Sequence, residues 1–456
     1  MVSLSSTTSK RKYALSQASK LRYEPCKLEH LHYGLSYVEL SLRLKLEANV
    51  SFRGISQSHV IYEQVLGISV SGLHHSTVIQ WVKRLGYYEL QKPKPQSSDW
   101  VLIVDESVMI GQVKLLNIYG IPSEAIPSMR ALELRDLYSL HIECRTSWRG
   151  EDIAAVIQDL DISISYIVSD CGNNLQKAYK LCKISHISDI THYVALAFKQ
   201  ILATSKAFQS LSSELGKMRR AGILSKKAHI LPPNQRTKAR FQNVDLLINW
   251  LKKALWHNDH PTQSLLNNEA KKALAWVKPY ALLSEELQQL YDIRQLAFQY
   301  LKQRHYSPTV ISQLKEELLR FRKKASKYSQ IFIQKIEVYL DQYKNLLDKH
   351  AKLLCCSDVI EASFGKLKNM LSLNSMCGFT DISMALAAFC NDLTPVEISK
   401  AMNFATWKEV YSFCKKRFTT SIFVKKQNFN KTCKKENINK IVKTKNGANY
   451  VIQNTA

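Results

Sequence analysis

Trp100-Val101-Leu102-Ile103-Val104-Asp105 is a compact apolar run closed by a carboxylate. A similar run, Ile162 to Val168, leads into Ser169-Asp170. Apolar on both faces, such runs read as strands covered by helices on each side. Between them, Val113–Ile121 and Leu137–Cys144 read as two further strands and Glu151–Leu160 as a helix. The order is therefore strand, strand, strand, helix, strand. From Cys171 to Leu202 the pattern is helical, with Leu175, Ala178, Tyr179 and Cys182 marking one face. Residues 205–350 carry long helical periods with almost no strand signal, and the chain turns helical again from Ser357. These patterns predict an α/β core with a mixed sheet, interrupted by a large all-α insertion.

Upstream, Gln91-Lys92-Pro93-Lys94-Pro95-Gln96-Ser97-Ser98 cannot continue a helix or a central strand and reads as a linker. Before it, one helix is expected from Ser58 to Leu66, stopping near Gly67. A second starts at Ser76 and carries Val78, Trp81, Val82 and Leu85 ahead of Gly86. The pair reads as a helix-turn-helix, with Gln80, Lys83 and Arg84 as its base-reading side chains, or as an ordinary helical hairpin. Val38 to Leu46 alternates with period two yet is rich in Leu, Glu and Lys, which leaves strand and helix open.

At 456 residues the chain has room for about three domains, and 45% hydrophobic residues exclude wholesale disorder. Sixty-four Lys and Arg against 38 Asp and Glu leave a formal charge of +26. A surplus that size points to a polyanionic partner, nucleic acid before a membrane surface. The positive charge is clustered: Lys10, Arg11, Lys12, Lys20 and Arg22 lie in an acid-free N-terminal arm. Leu215–Arg240, with Arg219, Arg220, Lys226 and Lys227, also has no acid. The tail from Ala401 carries twelve Lys/Arg against Glu409 and Glu436 and looks loosely ordered from Thr419. These segments are expected to contact phosphate without reading sequence. Ten cysteines without a CxxC pair or zinc-ligand spacing suggest free thiols in a reducing compartment. No apolar run approaches a membrane span and no signal-peptide core is present, so a soluble, cytoplasmic protein is expected.

Asp105 and Asp170 each follow an apolar strand, where a carboxylate can face a ligand. Side by side they would repel unless a cation lay between them, and hard divalent ions take such oxygen ligands. Each could instead be a simple turn residue. A third acid, Glu361, sits in Asp358-Val359-Ile360-Glu361-Ala362-Ser363-Phe364-Gly365-Lys366-Leu367-Lys368. It borders the helical stripe Ile360, Phe364, Leu367, Leu371, with Lys368 two turns on along the same side. Glu361 could equally close a capping box behind an N-cap Asp358. Glu106 and Asp358 are the neighbouring carboxylates that could replace Asp105 and Glu361.

In order and spacing these residues resemble a bacterial insertion-sequence transposase of the DDE type. That resemblance implies an RNase H-like core, with Asp105, Asp170 and Glu361 as catalytic acids and metal ligands. It also accounts for the helical insertion between the second and third acids. Asp189-Ile190-Thr191-His192 resembles the C/D-x-x-H signature found after the second acid, implying that Asp189 and His192 orient the site or contact DNA. The division expected is a basic arm and helix-turn-helix region (1–92), the first part of the core (99–204), the insertion (205–350), the last core helices (351–395) and a basic tail (396–456). The implied reaction is cleavage at element ends and strand transfer into target DNA, with two Mg²⁺ ions or Mn²⁺ in their place. Implied partners are terminal inverted repeats, target duplex and a second copy of the chain in the DNA complex. A structure-specific nuclease on the same fold, or an inactive DNA-binding descendant, are the other readings.

Overall fold

The computed structural model describes residues 33–67, 72–109, 113–234, 244–372 and 378–443. The N-terminal basic arm, Arg236 to Arg240 and the last residues of the tail lie outside them. Three helices come first: α1 (Leu35–Leu46), α2 (Phe52–Leu66) and α3 (His75–Gln91). The period-two run before residue 46 is thus helical. Its alternate leucines do not all share one environment: Leu42 and Leu46 are buried, whereas Leu40 is exposed.

Next come β1 (Trp100–Val108), β2 (Lys114–Pro122), β3 (Tyr138–Arg145), α4 (Gly150–Gln158), β4 (Ile164–Ser169), α5 (Asn173–Cys182) and β5 (Ser185–Ser188). They form one mixed sheet in the order β3-β2-β1-β4-β5. The first three strands are antiparallel neighbours, while β4 runs parallel to β1 and β5 parallel to β4. Sequence reasoning missed β5, because Ser185-His186-Ile187-Ser188 is short and has one apolar residue to show. What holds it is the ladder to β4 and two tyrosines from far along the chain. The Tyr343 hydroxyl accepts from Ser188 N at 3.0 Å, and the Tyr339 hydroxyl donates to Ser188 O at 2.8 Å.

Alternate residues of β1 serve two cores. Leu102 and Val104 pack with Ile153, Ile157, Leu175 and Tyr179 of α4 and α5. Val101 and Ile103 face a larger cluster that runs on into the rest of the molecule. That cluster includes α6 (Ile190–Ala203), α7 (Lys206–Gly222), α8 (Val244–Asp259), α9 (Asn268–Leu274), α10 (Ala281–Gln303), α11 (Pro308–Arg322) and α12 (Lys327–Gln342). The chain then returns to the sheet as α13 (Asp358–Leu371), followed by α14 (Ala385–Ala388), α15 (Pro395–Phe404), α16 (Trp407–Arg417) and α17 (Ile422–Lys443). The stretch read as a loose tail therefore contains helix. Among the described residues no helix is long and apolar enough to cross a membrane.

The proline-rich segment before β1 does not separate two cores. α3 continues through Gly86 and is buried by the C-terminal helices, with Val78, Trp81, Val82 and Leu85 in the same cluster as Val101 and Ile103. Gly86 is what permits this approach: a Cβ there would lie 2.2 Å from the Met384 carbonyl oxygen. Backbone cannot give way as a side-chain tip can. Gly86→Ala is expected to destabilise the fold by about 3 kcal/mol, read as a lowered Tm, and an unchanged Tm would show that α3 and α14 are not packed this way.

Candidate active site

Asp105 lies inside β1, not at its end: the strand runs three residues further. Alternation puts its side chain on the face of Ile103, under α13, and turns Glu106 to the face covered by α4 and α5. There Glu106 pairs with Lys114 at 3.2 Å, so it stands apart from the other acids. The parallel ladder aligns Val104 with Ser169, which sets Asp170 beside Asp105. Each aspartate is held by backbone. Asp105 Oδ1 accepts from Glu106 N at 2.7 Å, and Asp170 Oδ1 accepts from Gly172 N at 2.9 Å just before α5.

Glu361 arrives on α13, and a single buried carboxylate fixes where that helix begins. Asp189, fully buried, is the N-cap of α6, accepting from His192 N at 3.1 Å. Its other oxygen accepts from Ser357 N at 3.0 Å, at the start of α13. Ile190 N donates to Cys355 O at 2.9 Å, which stitches the same two segments together. His192 then bridges acids: Nδ1 lies 2.8 Å from Asp189 and Nε2 lies 3.3 Å from Glu361. The Asp189-x-x-His192 pair thus sits at the site because the aspartate caps the helix on which the histidine is the third residue.

Glu361 is not part of a capping box. Ser357 is the N-cap of α13, it makes no side-chain cap bond, and Asp358 is the first helical residue. Asp358 is engaged elsewhere, with Lys302 of the insertion and with Thr191 Oγ1 at 2.8 Å. Lys302 was not foreseen; nothing in the local pattern of α10 marks it. Lys368 lies on the Glu361 side of α13, half-buried and about 10 Å further along the axis.

Crowding leaves its mark on proton affinities. Burial, then Asp170 and Glu361, push the Asp105 carboxyl up to about 8. Burial also raises Glu361, with His192 opposing. For His192 burial works the other way, but the hydrogen bond to Asp189 and the charges of Asp189 and Glu361 win and raise it to about 9. Burial would raise Asp358 too, yet Lys302 holds it below its usual value.

In the cation-free protein these shifts make stability depend on pH. A raised carboxyl contributes full stability below its unfolded value, near 4, and loses it as pH rises through about 8. His192 contributes fully below about 6.5 and loses it by about 9. Both therefore weaken the fold between pH 6 and 9. Asp105→Asn removes the first liability and, with a chelator present, should be more stable than wild type at pH 8–9 by on the order of 2 kcal/mol. Thermal unfolding at pH 6 and pH 9 checks this; a wild type that is more stable than the variant at pH 9 contradicts it.

Three carboxylates that act on one another, two of them raised by burial, offer hard oxygen donors that suit a divalent cation, whose charge would remove the repulsion. Two other groups have ligand atoms within 4.8 Å of one another: Asp189, His192 and Glu361, and Asp189, Cys356 and Asp358. Both rely on Asp189, whose two oxygens are already taken by Ser357 N and by His192. They read as capping and ion-pair arrangements. Asp105, Asp170 and Glu361 are not a group of that closeness.

The expected base readers are placed differently from a recognition helix. Lys83 is buried and paired with Asp381, and Arg84 donates to Met402 O at 2.9 Å. Gln80 is half-buried. The correction is physical: α3 is covered on several sides by helices from the C-terminal region, so its cations satisfy internal acceptors. In the insertion Arg219 donates to Pro232 O at 2.7 Å and Lys227 pairs with Glu269 at 3.1 Å, whereas Arg220 and Lys226 are exposed. Lys425, Lys426 and Lys431 on α17 are exposed as well.

No family model matches the chain, and no curated protein matches it in sequence. Among solved structures it is similar to the Drosophila P element transposase strand transfer complex, with 13% sequence identity and a TM-score of 0.41 over 84% of this chain and 98% of that one.

Proposed function

We propose that this chain is a DNA transposase of the DDE type, on an RNase H-like core and of bacterial insertion-sequence origin, that cuts at element ends and joins them to target DNA. One observation carries the reading. Asp105, in β1, Asp170, just past the end of the neighbouring β4, and Glu361, on a helix far along the chain, act on one another electrostatically. They do so in the chain order the sequence resemblance implies, and the sheet order and strand directions fit the same core. Asp105, Asp170 and Glu361 would hold two Mg²⁺ or Mn²⁺ ions. Such a pair, when bound, activates an attacking oxygen and stabilises a leaving one.

The chain's own residues do the rest. His192, held by Asp189, fixes the Glu361 carboxylate. Lys302 draws Asp358 out of competition. Lys368 extends along the Glu361 side of α13, where a backbone phosphate would pass. Arg220, Lys226 and the α17 lysines would neutralise further phosphates, each steepening the log–log salt dependence of duplex binding by about 0.9. Two ends must be joined in one event, so two copies of the chain are proposed in the DNA complex.

The test is strand transfer with pre-cleaved element ends and Mg²⁺ or Mn²⁺. Joining to target duplex is the expected result. Cutting without joining would make the protein a nuclease on this core, and binding without either would make it an inactive descendant.

A further inference from the structure

Where the first three helices meet the far end of α13 they line a cleft of about 640 Å³, within the roughly 300–1,000 Å³ of ligand sites. Phe52, Met370 and Ile382 give it apolar lining, and Lys45, Arg53, Lys83 and Asp381 give it charge. Asp381 pairs with Lys83, which leaves Lys45 and Arg53 as the cations that no acid of the cleft cancels. Lys45 is 1% exposed. Its ammonium donates to Val50 O at 3.0 Å and to Asn49 Oδ1 at 3.3 Å, and stands 4.7 Å from the centre of the Phe52 ring. All three partners are neutral, and two of the three N–H donors are taken. Burial lowers the Lys45 pKa to about 8, and no acid opposes the shift. A methionine would fill the same space without the cost of burying a charge. Such a departure from local consistency marks a residue kept for another purpose.

A cation buried without a counter-ion, in a cleft open to solvent, calls for an anion from outside the chain. We propose that the cleft binds one phosphate of the DNA strand held at the candidate active site, between the Lys45 ammonium at its floor and the exposed Arg53 guanidinium at its mouth. The adjoining sugar would lie against Phe52 and Met370. Two observations favour a DNA strand over a free anion. Met370 follows Glu361 by nine residues on the same helix, ~14 Å along its axis, or about four nucleotide steps of ~3.4 Å. The apolar lining also has nothing to hold on a bare phosphate, whereas a sugar covers it. This inference rests on the reading that DNA is cut beside Glu361.

Lys45→Met, Arg53→Gln and their double variant test it, each against element-end duplexes carrying one neutral methylphosphonate at successive positions. Binding is read by fluorescence anisotropy over a salt series, and folding by Tm without DNA. The double variant should match or exceed the wild-type Tm, bind the plain duplex more weakly and flatten the log–log salt dependence by about 0.9. In wild type, one methylphosphonate about four steps from the cleaved bond should weaken binding about tenfold. In the double variant the same methylphosphonate should have no effect, because the contact is already gone. The proposal is overturned if every methylphosphonate acts alike on the two proteins, or if the salt slope is unchanged. It is also overturned if inorganic phosphate raises the wild-type Tm but not that of Lys45→Met while duplex binding is the same in both, which would make the cleft a small-anion site. A wild type that binds no duplex overturns the reading of DNA as substrate, whereas duplex binding indifferent to Lys45 and Arg53 overturns this inference alone.

Discussion

Asp105→Ala, Asp170→Ala and Glu361→Ala should each lower divalent-ion-dependent cleavage of an element-end duplex by roughly 10³-fold or more, about 4 kcal/mol of barrier. The reason is that no other acid can step in. Glu106 faces the opposite side of the sheet and is bound to Lys114, Asp358 is held by Lys302 and Thr191, and Asp189 is consumed in capping and in holding His192. Because the acids act as a unit, a double variant should be little worse than a single one. Binding to DNA should survive in all three, since the contacting cations lie elsewhere. Cleavage by purified variants, with filter binding as the control, measures both. Retained cutting by Glu361→Ala alone would transfer its role to Asp358.

Asp189→Ala should be the most damaging substitution for the fold itself. It deletes a fully buried carboxylate that serves the first turn of α6, the entry to α13 and the His192 imidazole. Three donors lose their acceptor at once, and His192 is left beside Glu361 without its second anchor. Removing one partner of such a buried network costs about 3–5 kcal/mol. The expected readout is a large fall in Tm together with loss of cleavage. Asp189→Asn keeps an acceptor for Ser357 N and should recover much of the stability but little of the activity, because the amide does not hold His192 charged. A Tm near that of wild type for Asp189→Ala would show that α13 is positioned by something else.

How far the chain could be read in advance follows from what each element depends on. β1, β2 and β4 are legible from apolar residues on both faces, β3 from the alternation of Leu140, Ile142 and Cys144 on one face, and α4 from its period. β5 was not, since its stability comes from the ladder to β4 and from Tyr339 and Tyr343, more than a hundred positions away. The sequence puts Asp105 at a strand end because the apolar run stops there, whereas the strand continues through polar residues paired to β2. Of the helix-turn-helix, the periodicity was right and the surroundings wrong. Val78, Trp81, Val82 and Leu85 do form a buried stripe, but residues 381–404 cover the cationic side as well, and no local pattern announces a partner three hundred positions on. The place of Glu361 on an amphipathic helix is legible, while the Lys302 contact that engages the neighbouring Asp358 is not.

The central claim is that three carboxylates converge to hold divalent ions, and Mn²⁺ titration followed by electron paramagnetic resonance, with element-end DNA bound, tests it most directly. Two ions per chain are expected for the wild type. Asp105→Asn should bind neither tightly, and Asp170→Asn and Glu361→Gln should each lose one. Binding that is identical in all four proteins would contradict the account.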